Sequence, residues 1–115
     1  HELRPNSGGQ GQWRGGLGGI CDLVYEGEGA ARLNTAGDGI VVPPFGLLQG
    51  EAGLPHDYRI ITNDSEIILG SKETEILVNV GDHIYCLSSG GGGYGNPVER
   101  TKEAEDWDRR NGYVF

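Results

Sequence analysis

The sequence predicts a mainly β fold, a single antiparallel β-sandwich or barrel with a short C-terminal helix. From residue 17 onward, short apolar runs alternate with turn residues at a spacing of about ten residues, typical of sandwiches and barrels rather than βαβ units. The apolar residues repeat with a period of two, as in half-buried strands. The charged segment 100–111 is the one stretch that reads as a helix. We therefore expect one β-rich domain over residues 1–115.

Within this domain we expect residues 1–16 to be a glycine-rich lead-in and residues 17–88 to contain the strands and hairpins. A first strand is predicted over 17–26, and the turn residues Glu26-Gly27-Glu28-Gly29 lead into a returning strand over 31–35. The apolar run 40–42 then meets Pro43-Pro44, which ends any strand ladder because proline lacks an amide donor.

Two hairpins are predicted in the second half of the chain. Residues 58–62 and 66–69 flank Asn63-Asp64-Ser65, and these three residue types favour turns because their side chains bond the local backbone. The second hairpin is predicted over 75–88, with Gly81-Asp82 as a type II′ turn whose first central position is glycine.

The helix has recognisable ends. Thr101 is predicted to be its N-cap and Gly112 the residue just beyond its C-terminus. Ala104 and Trp107 are its apolar residues. A helix of two or three turns with so small an apolar face must lean on the sheet or on a partner.

Charge and composition exclude several functions. The chain has 9 basic and 17 acidic residues, a net charge of −8, which repels the phosphate backbone of nucleic acids and anionic membrane surfaces. No stretch approaches the roughly 18 consecutive apolar residues of a membrane span. We therefore expect neither nucleic acid nor a membrane as partner. Because the chain starts at His1 and contains no methionine, we expect it to be a piece of a longer protein.

The cysteines and histidines do not predict a metal site. Cys21 and Cys86 lie far apart in the sequence, and His1, His56 and His83 are scattered, so the spacings of zinc sites are missing. Each cysteine lies in an apolar, strand-like segment, where a reduced thiol behaves as a small hydrophobic residue. A structural disulfide between them stays open.

Residues 89–97 form a glycine-rich loop, and its core is Gly-Gly-Gly-Gly-Tyr-Gly over 90–95. So much glycine indicates either close approach of the backbone to something or several residues with positive φ. Gly90, Gly92 and Gly95 fit the dinucleotide fingerprint, but Asn96-Pro97 prevents a helix from starting there. A P-loop is rejected because the Gly-Lys-Ser/Thr order is absent.

Three segments together resemble one family: ELRPNSGGQGQWRGGLGG near the start, PPFGLLQGEAG in the middle, and VGDHIYCLSSGGGGYGNPVER followed by NGYVF at the end. They are similar to the C-terminal part of the hydantoinase B, 5-oxoprolinase and acetone carboxylase α-subunit family. The family pattern favours aspartate where this chain has Asn6 and Asn96, which argues against a metal ion at these two positions.

The resemblance implies a large cytoplasmic enzyme that opens cyclic amides, as N-methylhydantoinase and 5-oxoprolinase do, or carboxylates ketones. Such enzymes use ATP with a divalent metal, because phosphorylation converts an unreactive carbonyl oxygen into a leaving group. The implied partners are the rest of the hydantoinase B-like chain and a hydantoinase A-like subunit, and a homo-oligomer stays open. We expect this segment to be a structural or accessory part that is not catalytic alone. The alternative is a stand-alone β-module that binds a small ligand or a partner subunit.

Five residues are candidates for ligand binding or a subunit interface. Arg4 and Arg14 lie in glycine-rich surroundings, where a guanidinium group could bind a carboxylate or phosphate; the alternative is an ion pair within the chain. Gly92, Gly93 and Tyr94 belong to the glycine run, and Tyr94 could line a pocket or a subunit contact. No catalytic, cofactor-binding or metal-binding residue is predicted.

Overall fold

Seven strands and one α-helix make up the computed structural model, which describes residues 1–115. In chain order the elements are β1 Glu2–Arg4, β2 Gly18–Val24, β3 Ala31–Leu33, β4 Asp57–Ile61, β5 Glu66–Leu69, β6 Ile76–Val78, β7 His83–Leu87 and α1 Lys102–Arg110, with a 3-10 turn over Pro97–Glu99. The strands are antiparallel and the helix is short and C-terminal, which confirms the predicted mainly β class. Strand β1 lies within the segment that we expected to be a lead-in.

The main sheet has five strands in the order β1-β2-β7-β4-β5, and a separate two-stranded sheet pairs β3 with β6. The main sheet ends in free edges at β1 and β5, so it is open and does not form a closed barrel. Side chains from both sheets meet in a small core of Ile60, Leu69 and Val78, against which Leu33 and Ile76 pack. The two sheets are therefore layered as in a sandwich.

The molecule is elongated and unusually exposed. Its dimensions are 54 × 27 × 19 Å with a radius of gyration of 16.8 Å, whereas a compact domain of this length has a radius of gyration of about 13 Å. Its accessible surface is 7493 Å², about 1,400 Å² more than the roughly 6,100 Å² expected for its mass. Only three hydrophobic residues are fully buried. Much of the apolar surface is thus uncovered in this chain by itself.

The hairpin formed by β4 and β5 is confirmed. Tyr58 pairs with Leu69 and Ile61 with Glu66. The turn between the strands is closed by a hydrogen bond of 2.9 Å from the amide of Thr62 to the carbonyl of Ser65. This element was predictable because its pairing depends on residues close together in the sequence.

The predicted hairpin over 75–88 is wrong. Strand β6 pairs with β3 in the small sheet, whereas β7 lies between β2 and β4 in the main sheet. The chain does turn here, with a 3.0 Å hydrogen bond from the amide of Asp82 to the carbonyl of Asn79. Gly81 has a φ of 91° and occupies the second central position, as in a type II turn. Turns of this type splay their flanking strands instead of pairing them.

The predicted return of the first strand onto 31–35 is also wrong. The amide of Tyr25 donates to the carbonyl of Asp82, and the carbonyl of Tyr25 accepts from Gly81, so the end of β2 continues along β7 and does not reverse. Strand β3 pairs with β6 instead. The apolar run 40–42 forms no strand, and the side chain of Val41 is 88% exposed.

The helix has the predicted caps. The Thr101 hydroxyl accepts from the amide of Ala104, and Gly112 has a φ of 72° just beyond the helix. The helix begins at Lys102 and not at residue 100, because the 3-10 turn over Pro97–Glu99 precedes its cap. Of the described helices, none combines the length and apolarity needed to pass through a lipid bilayer.

Candidate functional site: the glycine bundle and the arginine pair beside it

Five extended segments, 7–10, 13–16, 44–47, 50–54 and 90–95, pack side by side next to the main sheet, and we call them the glycine bundle. Segment 90–95 lies at its centre and bonds to all four others. The bonds run from Gly9 N to Gly91 O (2.9 Å), Gly91 N to Gly16 O (2.8 Å), Gly93 N to Glu51 O (2.9 Å) and Leu47 N to Gly93 O (3.0 Å). A strand in a sheet has neighbours on two sides only; this segment has neighbours on four.

Glycine is required here because backbone packs directly on backbone. A Cβ atom on Gly93 would lie 2.1 Å from the carbonyl oxygen of Gln10, and one on Gly92 would lie 1.9 Å from that of Phe45. The same crowding admits only glycine at the axis of the collagen triple helix. In the run itself only Gly95 has a positive φ, 80°. Close approach, and not backbone freedom, therefore explains the run, and the group that approaches is the chain's own backbone.

The bundle does not fit the phosphates of a nucleotide. A phosphate site presents free backbone amides at a glycine-rich loop. Here the amides of Gly90, Gly91 and Gly93 donate to the carbonyls of Leu54, Gly16 and Glu51. No group of three or more His, Cys, Asp or Glu side chains could share a metal ion.

Tyr94 and Trp13 mark one end of the bundle. Each donates its amide to the carbonyl of the other at 2.9 Å, and Leu47 forms a bridge to Tyr94 from the other side. The side chain of Tyr94 is 48% exposed. Gly92 and Gly93 lie inside the bundle and offer no side chain, so Tyr94 is the residue of the run that can present one to a ligand or partner.

The turn next to Tyr94 holds two non-glycine residues in the left-handed region. Leu48 has a φ of 48° and Gln49 of 75°, and the amide of Gly50 closes the turn on the carbonyl of Leu47 at 2.9 Å. Consecutive positive φ values define a type I′ turn, which prefers Asn-Gly. Strain of this kind costs about 1–3 kcal/mol per residue and is concentrated at functional sites. The turn directs the side chain of Leu48, which is 67% exposed, into solvent.

Arg14 and Arg100 hold one carboxylate between them. Arg14 Nε and Arg100 Nη2 each lie 2.8 Å from Asp108 Oδ2, and Asp108 is 4% exposed. Arg100 also donates to the carbonyl of Gln12 at 3.0 Å. These three side chains, which we call the trio, fix α1 to the glycine bundle and together carry one net positive charge. This is the intramolecular ion pair that we considered as an alternative for Arg14.

A cleft of about 500 Å³ opens beside this trio. Trp13 and Trp107 line it, together with Leu3 and Tyr113, and both tryptophans are more than half exposed. The terminal nitrogens of Arg14 make no hydrogen bond within the chain. The cleft thus combines an apolar, aromatic wall with guanidinium donors, a combination that suits an amphipathic anion such as a carboxylate.

Arg4 lies elsewhere, where the main sheet meets the bundle. Its Nη1 atom donates to the carbonyls of Pro55 at 2.6 Å and Ser88 at 3.0 Å. Burial lowers its pKa, an effect that the nearby Asp57 partly opposes. Arg4 does not line the cleft beside Arg14, so the five residues proposed from sequence do not form one site. Their role in binding stays a prediction.

Sequence reasoning missed the partners of these arginines and two surface pairs. Asp108 is 94 residues from Arg14 along the chain, and no local pattern announces such a contact. On the main sheet, Arg59 binds Asp57 at 2.6 Å and lowers the pKa of that carboxyl. His83 Nδ1 lies 2.9 Å from Asp22 Oδ1, and both side chains are about half exposed. The Asp22–His83 pair depends on the register of β2 and β7, whereas Asp57 and Arg59 lie two residues apart on one face of β4.

The fold and the glycine bundle together define the class of protein. It is a mainly β segment that packs onto a core of glycine-rich backbone. The sequence model of one family, hydantoinase B/oxoprolinase, matches residues 1–97. The chain therefore belongs to the hydantoinase B/oxoprolinase family, as the resemblance predicted.

Named relatives are much longer than this chain. It is 32% identical over 116 residues to a putative D-/L-hydantoinase subunit from Pseudomonas sp., covering 99% of this chain and 19% of that one. It is 35% identical over 97 residues to 5-oxoprolinase 1 of Arabidopsis thaliana, covering 84% of this chain and 7% of the plant protein. The chain thus spans about a fifth or less of the length of the curated relatives it matches.

Two solved structures contain the same fold. An ATP-dependent caprolactamase from Pseudomonas jessenii matches with a TM-score of 0.70 and 28% identity, over 99% of this chain and 20% of that one. A nucleotide-free acetone carboxylase matches with a TM-score of 0.78 and 19% identity, over 99% and 19% of the two chains. The acetone carboxylase likeness is one of fold.

Proposed function

We propose that this chain is a C-terminal structural or accessory part of an ATP-dependent cyclic-amide hydrolase of the N-methylhydantoinase or 5-oxoprolinase type, or of a related ketone carboxylase, and that it is not catalytic alone. Family membership supports the enzyme class. The names of the relatives, which include a hydantoinase, a 5-oxoprolinase and a caprolactamase, support cyclic amides as the substrate class.

The uncovered surface carries the proposal. The chain exposes about 1,400 Å² more than a compact protein of its mass, and the exposed part includes large apolar side chains. Residues 41–48, which we call the apolar loop, contain five of them: Val41, Val42, Phe45, Leu47 and Leu48, each more than half exposed. These side chains are neighbours along the chain, and a large exposed apolar patch marks a site of contact with another protein, a membrane or a ligand. We assign it to the rest of a hydantoinase B-like chain.

The same proposal places ATP and its divalent metal outside this chain. The amides of Gly90, Gly91 and Gly93 are already bonded within the bundle, and no cluster of metal ligands is present among the described residues. A hydantoinase A-like subunit is the proposed source of the ATP site. A cytoplasmic location accompanies this proposal, and the exposed edges of the sheet leave room for a homo-oligomer.

Activity measurements test the division of labour. The 115 residues and the complete hydantoinase B-like chain are each mixed with the A-like subunit, ATP and Mg²⁺, and ring opening of 5-oxoproline and hydantoin is followed by product chromatography. We expect turnover with the complete chain only. Turnover by the 115 residues alone would overturn the proposal.

A stability comparison tests the contact surface directly. Phe45→Ser should change the free energy of unfolding of the 115 residues by less than about 0.5 kcal/mol, because the side chain is exposed there. In the complete chain the same change should cost about 3–5 kcal/mol, because a buried phenyl ring is lost. Lys72→Ser, also exposed, is the matched control and should have no effect in either form. Equal effects of Phe45→Ser in both forms would contradict burial of the apolar loop.

The cleft beside Arg14 supports the second candidate, a β-module that binds a small acidic ligand. Isothermal titration of the 115 residues with an aromatic carboxylate such as benzoate tests it. Binding that disappears in Arg14→Gln would favour this function. If titration of the folded chain with benzoate produces no heat of binding, this second candidate function is ruled out.

A further inference from the structure

The two cysteines, which the proposed function does not use, face each other in the middle of the main sheet. Cys21 on β2 is the register partner of Cys86 on β7, and both are free thiols of intermediate exposure. The amide of Ser88 donates to the carbonyl of Gly19, so Gly19 and Ser88 form a hydrogen-bonded pair. Such pairs recur every second residue, which makes the cysteines a hydrogen-bonded pair with Cα atoms about 5.5 Å apart.

This separation lies within the disulfide range, with some strain. Disulfides join Cα atoms about 4.4–6.8 Å apart and Cβ atoms about 3.5–4.5 Å apart. Opposed residues of adjacent strands have Cβ atoms about 4.5–5.5 Å apart, with hydrogen-bonded pairs at the wider end, so closing the bridge draws the Cβ atoms together by about 1–2 Å. A strained disulfide is more readily reduced than a relaxed one. The geometry therefore favours a bridge that forms and breaks reversibly.

Both thiols are accessible to a small reagent. Cys21 and Cys86 line a cavity of about 290 Å³ together with His56, Tyr58 and Ser88. The Nδ1 atom of His56 is buried and lacks a hydrogen-bond partner. No third ligand joins the thiols in a metal-binding cluster, and two thiols that face each other at this distance can be oxidised to a disulfide.

We propose that Cys21 and Cys86 form a reversible disulfide by exchange with a low-molecular-weight disulfide such as oxidised glutathione. Burial and the neighbouring Cys21 raise the pKa of Cys86, so the Cys21 thiolate attacks first. It forms a mixed disulfide and releases one glutathione. The Cys86 thiolate then attacks the Cys21 sulfur and releases the second. Two electrons pass from the cysteine sulfurs to the glutathione disulfide, and the two thiol protons end on the released glutathiones.

Peptide mapping tests this in the longest chain that carries these residues. The folded protein is equilibrated with mixtures of reduced and oxidised glutathione, quenched by alkylation and digested without reductant. Mass spectrometry should find a linked pair of peptides containing Cys21 and Cys86, lighter than the reduced pair by two hydrogens. The linked fraction should rise with the share of oxidised glutathione and fall again in excess reduced glutathione.

Single variants separate a bridge from independent reactivity. In Cys86→Ser the mixed disulfide at Cys21 should accumulate, because the second thiol is missing; Cys86→Ala serves if the serine variant fails to fold. Glutathione adducts on both cysteines of the unaltered protein, without linkage, would overturn the proposal. Linkage that appears only after denaturation would overturn it as well. Neither outcome depends on enzymatic activity, so failure here is distinct from failure of the proposed function.

Discussion

Replacing Gly93 by alanine probes the glycine bundle at a point where backbone crowds on backbone. Gly93 is buried, and an added Cβ would lie 2.1 Å from Gln10 O, 2.6 Å from Gln10 C and 2.7 Å from Gly9 O. All three are backbone atoms and cannot rotate away. Ordinary contacts of a Cβ atom begin near 3.4 Å, so segment 7–10 must move by more than an ångström from segment 90–95.

Such a movement has a cost that can be worked out from the contacts. Overpacking costs about 1–3 kcal/mol. The shift also breaks neighbouring bonds, of which Gly9 N to Gly91 O and Glu51 N to Gln10 O are the nearest, at about 1–3 kcal/mol for each buried group left unpaired. The expected loss in the free energy of unfolding is therefore at least about 3 kcal/mol, a large part of the stability of a small domain.

Gly16→Ala is the matched control. Gly16 belongs to the same bundle, but nothing lies within 4 Å of its added Cβ and its φ is not positive. Alanine there should be neutral or stabilise by up to about 1 kcal/mol, because it restricts the unfolded chain. Urea denaturation followed by tryptophan fluorescence measures both variants. Equal stability of Gly93→Ala and Gly16→Ala would refute close backbone packing as the reason for the glycine run.

Three further predictions concern single contacts. Asp108→Ala should lower the free energy of unfolding by about 3–5 kcal/mol in urea denaturation, because it leaves two guanidinium groups without their buried carboxylate. Asp106→Ala, at a half-exposed side chain 3.7 Å from Arg109, should cost less than about 0.5 kcal/mol; equal effects would contradict a structural role for the trio. The pair Leu48→Asn with Gln49→Gly should raise the melting temperature by relieving part of the strain of about 1–3 kcal/mol per residue, and a lower melting temperature would argue against that strain. Hydrogen bonding to Arg59 holds the pKa of Asp57 below its usual range. The ionised Asp57 therefore stabilises the fold above about pH 4, and this stabilisation is lost as the pH falls. Asp57→Asn should make the free energy of unfolding decline less steeply on acidification, and an unchanged decline would contradict the role of Asp57.

Local features of the fold were predictable and long-range ones were not. The caps Thr101 and Gly112 and the β4–β5 hairpin depend on residues a few positions apart, and each was predicted correctly. The hairpin over 75–88 failed because a Gly-Asp pair fits more than one turn type. Only the docking of the turn against Tyr25 shows that the flanking strands separate into different sheets.

In the candidate site, too, local features were predictable and long-range contacts were not. Sequence alone located the glycine run and indicated either close approach of the backbone or several residues with positive φ, since glycine is costly to order; the structure decides for close approach. It could not show what approaches, because segments 7–10 and 44–47 join the run only in the folded chain. Arg14 was singled out by its surroundings, but its partner Asp108 is 94 residues away. A contact between residues so far apart along the chain produces no periodic pattern that can be recognised in a single sequence.

The assembly of the glycine bundle has a consequence for how the protein is made. Its central segment, 90–95, is the last of the five to leave the ribosome, and the four outer segments have few partners without it. Loops of this length close slowly, since contacts between distant residues must wait for chain entropy to be overcome. Residues 7–16 should therefore stay open to proteases once they leave the ribosome and become protected only after residue 95 has emerged.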